Sequence, residues 1–196
     1  MIRIGIVGDI GSGKTFVANN FGYPVFNADH EVSKLYKKDR KTYLKLKKQL
    51  PKYINTFPVD KNEVTEAILT NKNNLRKIIN IVHKEIRRRL KIFLKKNKYK
   101  KFVILDIPLL IENKIFNKND VLIFVESKKK DIDKKIKKRP NFNIKIINMF
   151  RKIQFKPNYK KKKAHFIIKN TFTENSVKKE IKKILKEISK MREIVL

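Results

Sequence analysis

The stretch GDIGSGKT at residues 8–15 constrains the fold more than any other part of the chain. It matches the pattern G-x-x-x-x-G-K-S/T, follows an apolar run at residues 2–7 and precedes a helical pattern at residues 16–21. All five glycines of the chain lie within its first 22 residues, so glycine is concentrated where such a loop has to form. A strand, a glycine-rich loop and a helix are together typical of a nucleotide phosphate site, because backbone N–H groups converge there on anions. The alternative is a plain strand-to-helix turn.

The last two residues of the loop carry side chains with specific roles in such sites. Lys14 is expected to reach the β- and γ-phosphates, and the Thr15 hydroxyl is expected to hold Mg²⁺. The other residues predicted to bind ATP here are Gly8, Gly11, Ser12, Gly13 and Phe16. Asp9 is an unusual acidic residue in a loop for anions, and we expect its carboxylate to point away from the phosphates, which it would otherwise repel.

Apolar runs and helical patterns alternate along the rest of the chain. Strand patterns fall at residues 2–7, 23–29, 101–108, 120–126 and 165–170. The runs at 101–108 and 120–126 are almost wholly apolar, as expected for strands covered on both faces. This alternation predicts an α/β fold with a five-stranded parallel sheet. We predict a single domain with a core at 1–29, 98–127 and 164–196.

The composition bears on the partners and the location of the protein. The net charge of +33 invites a nucleic-acid partner, but the charge comes from 42 Lys spread along the chain and only 9 Arg. Such diffuse charge is more typical of a solvated surface, and we expect no nucleic acid. The absence of Cys excludes disulfides and thiolate metal sites, and no apolar run is long enough to span a membrane. We expect a soluble, cytoplasmic protein that does not bind membranes and is a monomer or a weak homo-oligomer.

Two carboxylates follow predicted strands and are candidates for chemistry. Asp29 ends the second strand pattern, where α/β sheets place ligands; alternatively it caps the helix that begins near His30. Asp106 ends the run FVILD, as a Walker-B carboxylate that holds Mg²⁺ would, or it caps the strand end. The string NKND at residues 117–120 begins a strand instead of ending one, which argues against a guanine site and a GTPase.

Several motifs, taken in order, resemble those of the dephospho-CoA kinase family over nearly the whole chain. They are GDIGSGKTFVANNF, VFNADHEVSKLY, IINIVHKEIRRRL, VILDIPLLIEN, DVLIFVE and the RKIQ…KKKAHFIIKN segment. The resemblance implies Mg²⁺-dependent transfer of the γ-phosphate of ATP to the ribose 3′-hydroxyl of dephospho-CoA. It also implies a three-layer fold of the P-loop kinase type, with a helical acceptor-binding insertion at about 30–97 and a lid at about 128–160. In the same way it implies that Asp29 is the general base, which takes the proton of the alcohol acceptor.

The resemblance assigns further residues to the site. Leu109, Leu110 and Glu112 would shape the acceptor pocket, although the two leucines are equally suited to a core. Arg139 matches the lid arginine and would act with Lys14 on the phosphates, or it is a surface residue; Asn170 would lie near the adenine.

Other positions depart from the family or stay open. His83 stands where the family has His-Pro, but Lys84 replaces the proline, so His83 is either an acceptor contact or a packed helical histidine. Arg87–Arg89 either meet CoA phosphates or face water. Two other functions remain as alternatives: a kinase for another small molecule such as a nucleoside or nucleotide, and a nucleic-acid-binding ATPase.

Overall fold

The order of five strands determines where the loop at residues 8–15 lies. In the computed structural model, which describes residues 1–138 and 142–193, the strands are β1 (Ile2–Gly8), β2 (Val25–Asn27), β3 (Phe102–Asp106), β4 (Val121–Glu126) and β5 (Phe166–Lys169). They form one sheet in the order β2-β3-β1-β4-β5. The first strand is central and pairs in parallel with β3 and β4, and β4 pairs in parallel with β5. The prediction of a five-stranded parallel α/β sheet is confirmed.

The helices of the described residues complete the α/β pattern. They are α1 (Lys14–Asn19), α2 (Ala28–Lys38), α3 (Arg40–Gln49), α4 (Lys61–Thr70), α5 (Lys72–Lys96), α6 (Lys129–Lys137), α7 (Ile144–Ile153), α8 (Pro157–Lys163) and α9 (Glu174–Glu193). Among those residues, no helix combines the length with the apolar character that crossing a bilayer requires. The chain divides into a first unit of residues 1–26, 99–142 and 150–196, and a second unit of residues 27–98 and 143–149. The division into core, acceptor-binding insertion and lid stays a prediction.

The core of the first unit lies around the central strands. All five residues of β3 are buried, as the apolar run predicts for a strand covered on both faces. Gly5 of β1 is required by packing, because a Cβ there would lie 2.4 Å from Leu110 Cδ2. One stripe of α9 closes the core at a spacing of three to four residues; it consists of Val177, Ile181, Ile184 and Ile188.

The second strand is shorter than the sequence pattern predicts. The pattern at residues 23–29 predicts a strand that ends on Asp29, but β2 ends at Asn27 and α2 begins at Ala28. The reason is a helix cap, since the Asn27 side chain accepts a hydrogen bond of 2.7 Å from the His30 N–H. Asp29 therefore lies in the first turn of α2, and the alternative that Asp29 itself caps this helix is wrong.

The second unit is a set of helices arranged along α5. The buried stripe of α5 consists of Leu75, Ile78, Val82, Ile86 and Leu90. Of the three consecutive arginines, Arg88 is mostly exposed, whereas Arg89 donates to Glu31 of α2 over 2.9 Å. Arg89 Nη2 also lies 3.8 Å from Asp39 Oδ2. Arg89 thus joins α5 to α2, a role that its place in an exposed-looking basic triplet does not indicate.

Arg89→Met should lower the free energy of unfolding by about 1–2 kcal/mol at neutral pH, because it leaves Glu31 with one hydrogen-bonded cation fewer in a half-buried place. Burial acts to raise the pKa of Glu31, but hydrogen bonds from Lys34 and Arg89 outweigh it and leave that pKa below its ordinary value of 4.5. The contribution is therefore full above pH 4.5 and is lost as the pH falls through the lower folded-state value.

Urea unfolding at a series of pH values measures this effect. The matched control is Arg88→Met, whose partner Glu85 lies on the same helix, and which should change stability less. A deficit in Arg89→Met that is the same in acid and at neutral pH would show that the ion pair with Glu31 contributes nothing.

Candidate functional site

The loop at residues 8–15 connects β1 to α1 in a conformation that two of its glycines make possible. Gly11 and Gly13 have φ of 84° and 83°, in the left-handed region that favours glycine. A Cβ on Gly13 would also lie 2.3 Å from Asn170 Nδ2 and 2.7 Å from Phe172 Cε1. The conformation and the close approach of neighbouring atoms both exclude larger residues at Gly13.

The lysine of the loop lies against the loop backbone. Lys14 Nζ donates to the carbonyl oxygen of Asp9 over 2.7 Å and lies 3.5 Å from that of Gly8. The Asp9 carboxylate accepts a hydrogen bond of 2.7 Å from the Ile10 N–H. Asp9 thus satisfies a backbone donor of its own loop, which explains how an acidic residue is accommodated there.

The two residues predicted as metal ligands meet at the carboxyl ends of adjacent strands. Thr15 Oγ1 donates to Asp106 Oδ2 over 2.6 Å. Asp106 is the last residue of β3, is 3% exposed, and pairs in register with Ile6 of β1. The pair offers a hydroxyl and a carboxylate, the oxygen ligands that Mg²⁺ prefers. The described residues contain no cluster of three or more His, Cys, Asp or Glu that could hold a metal ion.

The residues that directly follow β4 and β5 form hydrogen bonds with the loop. Ser127 Oγ donates to the Ser12 carbonyl oxygen over 2.9 Å, and Asn170 Nδ2 donates to the same oxygen over 2.9 Å. The side-chain oxygen of Asn170 accepts from the Phe172 N–H. Asn170 therefore contacts the phosphate loop directly, and its predicted proximity to adenine stays a prediction. Ser127 was missed; the available signal was a polar residue directly after an apolar strand.

Two aromatic rings flank the beginning of α1. The rings of Phe16 and Phe172 are 6.4 Å apart between centroids and tilted, and the Lys135 Nζ lies 5.0 Å from the Phe172 centroid. Phe16, predicted to contact ATP, is thus part of a partly exposed aromatic pair beside the loop.

The turn after β3 contains the residues assigned by resemblance to the acceptor. Leu110 is 1% exposed and packs against Gly5, so the core alternative describes it. Leu109 is partly exposed. The Glu112 carboxylate accepts from the Lys160 ammonium over 2.8 Å and from the Phe155 N–H over 2.9 Å.

Of the three remaining candidate site residues, two belong to the second unit and one lies outside the residues that the structure describes. Asp29 is exposed in the first turn of α2. His83 is half-buried in α5, and burial, with a smaller effect of the Arg87 charge, lowers its pKa from the ordinary value of 6.5. His83 is therefore neutral at pH 7. Arg139 lies outside the described residues.

The NKND string has a structural role at the opposite edge of the sheet. Asp120 precedes β4, accepts from the Asn117 N–H over 2.9 Å and pairs with Arg3 at the start of β1 over 2.8 Å. Because β1 and β4 are parallel, this turn lies at the edge of the sheet away from the phosphate loop. The position agrees with the argument against a guanine site.

Comparison with known proteins gives a consistent family. A family model described as dephospho-CoA kinase matches residues 2–188. A dephospho-CoA kinase of Wolbachia pipientis is 34% identical over 129 residues, which is 63% of this chain and 66% of that protein, slightly less than two thirds of its length. A Thermus thermophilus crystal structure shares the fold with a TM-score of 0.77 and 25% identity, covering 95% of this chain and 97% of that one.

A second solved structure supports the fold. The dephospho-CoA kinase from Campylobacter jejuni has a TM-score of 0.64 and 24% identity, with 97% of this chain and 98% of that chain covered. The family match spans the phosphate loop, the Asp106 strand end and the supporting residues Ser127 and Asn170. The chain therefore belongs to the dephospho-CoA kinase family.

Proposed function

We propose that the protein transfers the γ-phosphoryl group of ATP to the ribose 3′-hydroxyl of dephospho-CoA, giving coenzyme A and ADP. The observation that carries the proposal is the contact between Thr15 and Asp106 beneath a glycine-rich phosphate loop, in a chain of this family. The loop supports an ATP-dependent phosphoryl transfer, and the family supports the acceptor. The absence of Cys suits a cytoplasmic location, which we infer as well.

The nucleotide side of the reaction is assigned to the loop. Backbone N–H groups of the loop bind the phosphates, and Lys14 leaves the Asp9 carbonyl oxygen to contact the β- and γ-phosphates. Asn170 and Ser127 hold the Ser12 carbonyl oxygen and so fix the loop in its binding shape before ATP arrives. Backbone N–H groups that are held in place in this way stabilise the negative charge that develops on the transferred phosphoryl group.

Thr15 and Asp106 are the residues that would hold Mg²⁺. They fit this ion, which is usually bound by one or two protein oxygens together with phosphate oxygens and water. When bound, Mg²⁺ neutralises negative charge on the phosphate oxygens. The Thr15 hydroxyl, which donates to Asp106, would then direct a lone pair to the metal, while Asp106 contacts it directly or through water.

The acceptor side is assigned to Asp29 and Arg139. Asp29 takes the proton of the 3′-hydroxyl as that oxygen forms its bond to the γ-phosphorus, and the bond from the γ-phosphorus to the bridging oxygen breaks as ADP leaves. Arg139 would neutralise charge on the transferred group, a role assigned through the resemblance. Leu109 and His83 would contact the acceptor, with His83 as a neutral partner.

An ADP-release assay with and without Mg²⁺ tests this function. Dephospho-CoA is compared with adenosine, uridine and AMP as acceptors, and the product is identified by mass as coenzyme A. Phosphorylation of dephospho-CoA well above the other acceptors supports the proposal. If the protein phosphorylates a nucleoside or nucleotide but not dephospho-CoA, the proposed acceptor is wrong. If only nucleic acid stimulates ATP hydrolysis and no acceptor is phosphorylated, the protein is a nucleic-acid-binding ATPase instead of a kinase.

Asp106→Asn should raise the Mg²⁺ concentration for half-maximal rate and lower kcat by about 10- to 100-fold, because an amide is a weaker ligand than a carboxylate. Titration of the rate with Mg²⁺ at saturating ATP measures both effects. Asp60→Asn is the matched control, since Asp60 caps α4 and Asn caps a helix equally well. An unchanged Mg²⁺ requirement in Asp106→Asn would remove Asp106 from the metal site.

A further inference from the structure

One lysine of the run at residues 160–163 differs from its neighbours in burial. Lys160 is 1% exposed, whereas Lys162 and Lys163 are exposed and Lys161 is partly exposed. A buried ammonium loses its hydration and persists only where acceptors replace the water. In a chain with 51 basic residues, most of them solvated, a buried lysine indicates a specific task.

The acceptors around Lys160 come from two other segments. Its Nζ lies 2.8 Å from Glu112 Oε1 and donates to Gln154 Oε1 over 2.9 Å. The same Glu112 oxygen accepts from the Phe155 N–H over 2.9 Å. The Glu112 side chain is itself only 8% exposed. We call Glu112, Gln154, Phe155 and Lys160 the anchor cluster.

The anchor cluster joins three parts of the first unit. Glu112 belongs to the turn that follows β3, six residues after Asp106. Gln154 and Phe155 directly follow α7, and Lys160 lies in α8. Buried ion pairs are weak evidence for stability, because desolvation offsets much of their attraction, but their directional hydrogen bonds fix the relative position of the segments that carry them.

We propose that Lys160 is a positioning residue, which anchors Gln154 and Phe155, the residues that follow α7, to the Glu112 turn and so holds that turn in place for the acceptor. This inference rests on the proposed function. Glu112 then acts through its bonds to Lys160 and Phe155, instead of contacting the acceptor as the resemblance implies.

The position of the Lys160 ammonium argues against a direct role on phosphate. The ammonium is enclosed, and a carboxylate and an amide oxygen occupy it at hydrogen-bonding distance. A phosphate contact would need both the charge and access, which exposed lysines of the same run have. The remaining alternative is a purely structural role, and the two differ in what they predict for substrate binding.

Lys160→Met tests the proposal, because methionine fills a similar volume without the charge. Relative to the unchanged protein, we expect KM for dephospho-CoA to rise about 10- to 100-fold. The affinity for an ATP analogue should change by less than about twofold. Lys162→Met, an exposed member of the same run, should leave both values unchanged. Glu112→Gln is a milder second variant, which keeps an oxygen for the Phe155 N–H and should raise KM less.

Hydrogen exchange keeps the test independent of the reaction. In Lys160→Met, amides across residues 150–160 should exchange at least about tenfold faster than in Lys162→Met, with Phe155 most affected. A wild-type KM for dephospho-CoA in Lys160→Met, with only a lower melting temperature, would overturn the positioning role. If the unchanged protein does not phosphorylate dephospho-CoA, the proposed function fails, and unchanged exchange in Lys160→Met would then overturn the anchor separately.

Discussion

Asp29→Asn should lower kcat for phosphorylation of dephospho-CoA by about 10²- to 10⁴-fold and leave the affinity for ATP within about twofold, because asparagine cannot take the proton of the acceptor hydroxyl. Asp29 is exposed in the first turn of α2, two residues after β2, and Asn27 already caps that helix. Replacing Asp29 therefore removes no cap. Single-turnover measurements of phosphoryl transfer, with equilibrium binding of an ATP analogue, separate the two quantities.

The control for this variant addresses the favourable position of an acid at a helix N-terminus. Glu174→Gln removes a charge from the first turn of α9, where Glu174 is exposed. Like Asp29→Asn, it should lower the free energy of unfolding by a few tenths of a kcal/mol, roughly, but it should not lower turnover. Near-normal turnover in Asp29→Asn would remove Asp29 as the base. A parallel loss of ATP binding would show that Asp29 acts on the nucleotide site instead.

The sheet and the loop were predictable because short-range rules determine them. Apolar runs predicted all five strands, and the concentration of glycine predicted the loop, in which Gly11 and Gly13 adopt left-handed conformations. Thr15 and Asp106 were predicted separately as metal ligands, 91 residues apart in the chain, and the structure brings them together. The physical reason is that parallel pairing aligns the carboxyl ends of β1 and β3 at one edge.

The start of α2 was not predictable from the periodicity. The stretch YPVFNAD continues the pattern of a strand through Asp29, and nothing in its hydrophobicity indicates that β2 ends at Asn27. A capping hydrogen bond from the His30 N–H to Asn27 decides the boundary. Asn followed three residues later by a helical run was the available signal, and it competes with the β-pattern on either side.

The anchor cluster and the supporting serine depend on tertiary contacts that no local rule encodes. In sequence, Lys160 is one of four consecutive lysines, and the run resembles a solvated patch. Its burial follows from the place of α8 against the turn of Glu112, which is 48 residues away in the chain. Ser127 meets Ser12 across 115 residues, so its role likewise emerges only when β4 and the loop are placed side by side.

Gly13→Ala should abolish measurable ATP binding, with affinity reduced by at least about 10²-fold, and lower the free energy of unfolding by about 3 kcal/mol. The left-handed conformation at φ 83° accounts for about 1 kcal/mol of this loss. The remainder comes from the new Cβ, which would lie 2.3 Å from Asn170 Nδ2 and 2.7 Å from Phe172 Cε1. Asn170 has to move, and its hydrogen bonds to Ser12 and Phe172 are lost.

Gly22→Ala separates the two contributions to this loss. Gly22 also has a left-handed φ, of 71°, but a Cβ there meets nothing within 4 Å. It should therefore lose only the conformational term of about 1 kcal/mol and bind ATP normally. Urea unfolding and equilibrium binding of an ATP analogue to both variants measure the difference. Equal losses of stability in the two variants, with ATP binding retained in Gly13→Ala, would show that the contact of Asn170 with the loop does not maintain the phosphate site. A loss of ATP binding confined to Gly13→Ala would instead show that this contact maintains the phosphate site, since backbone strain is common to both changes.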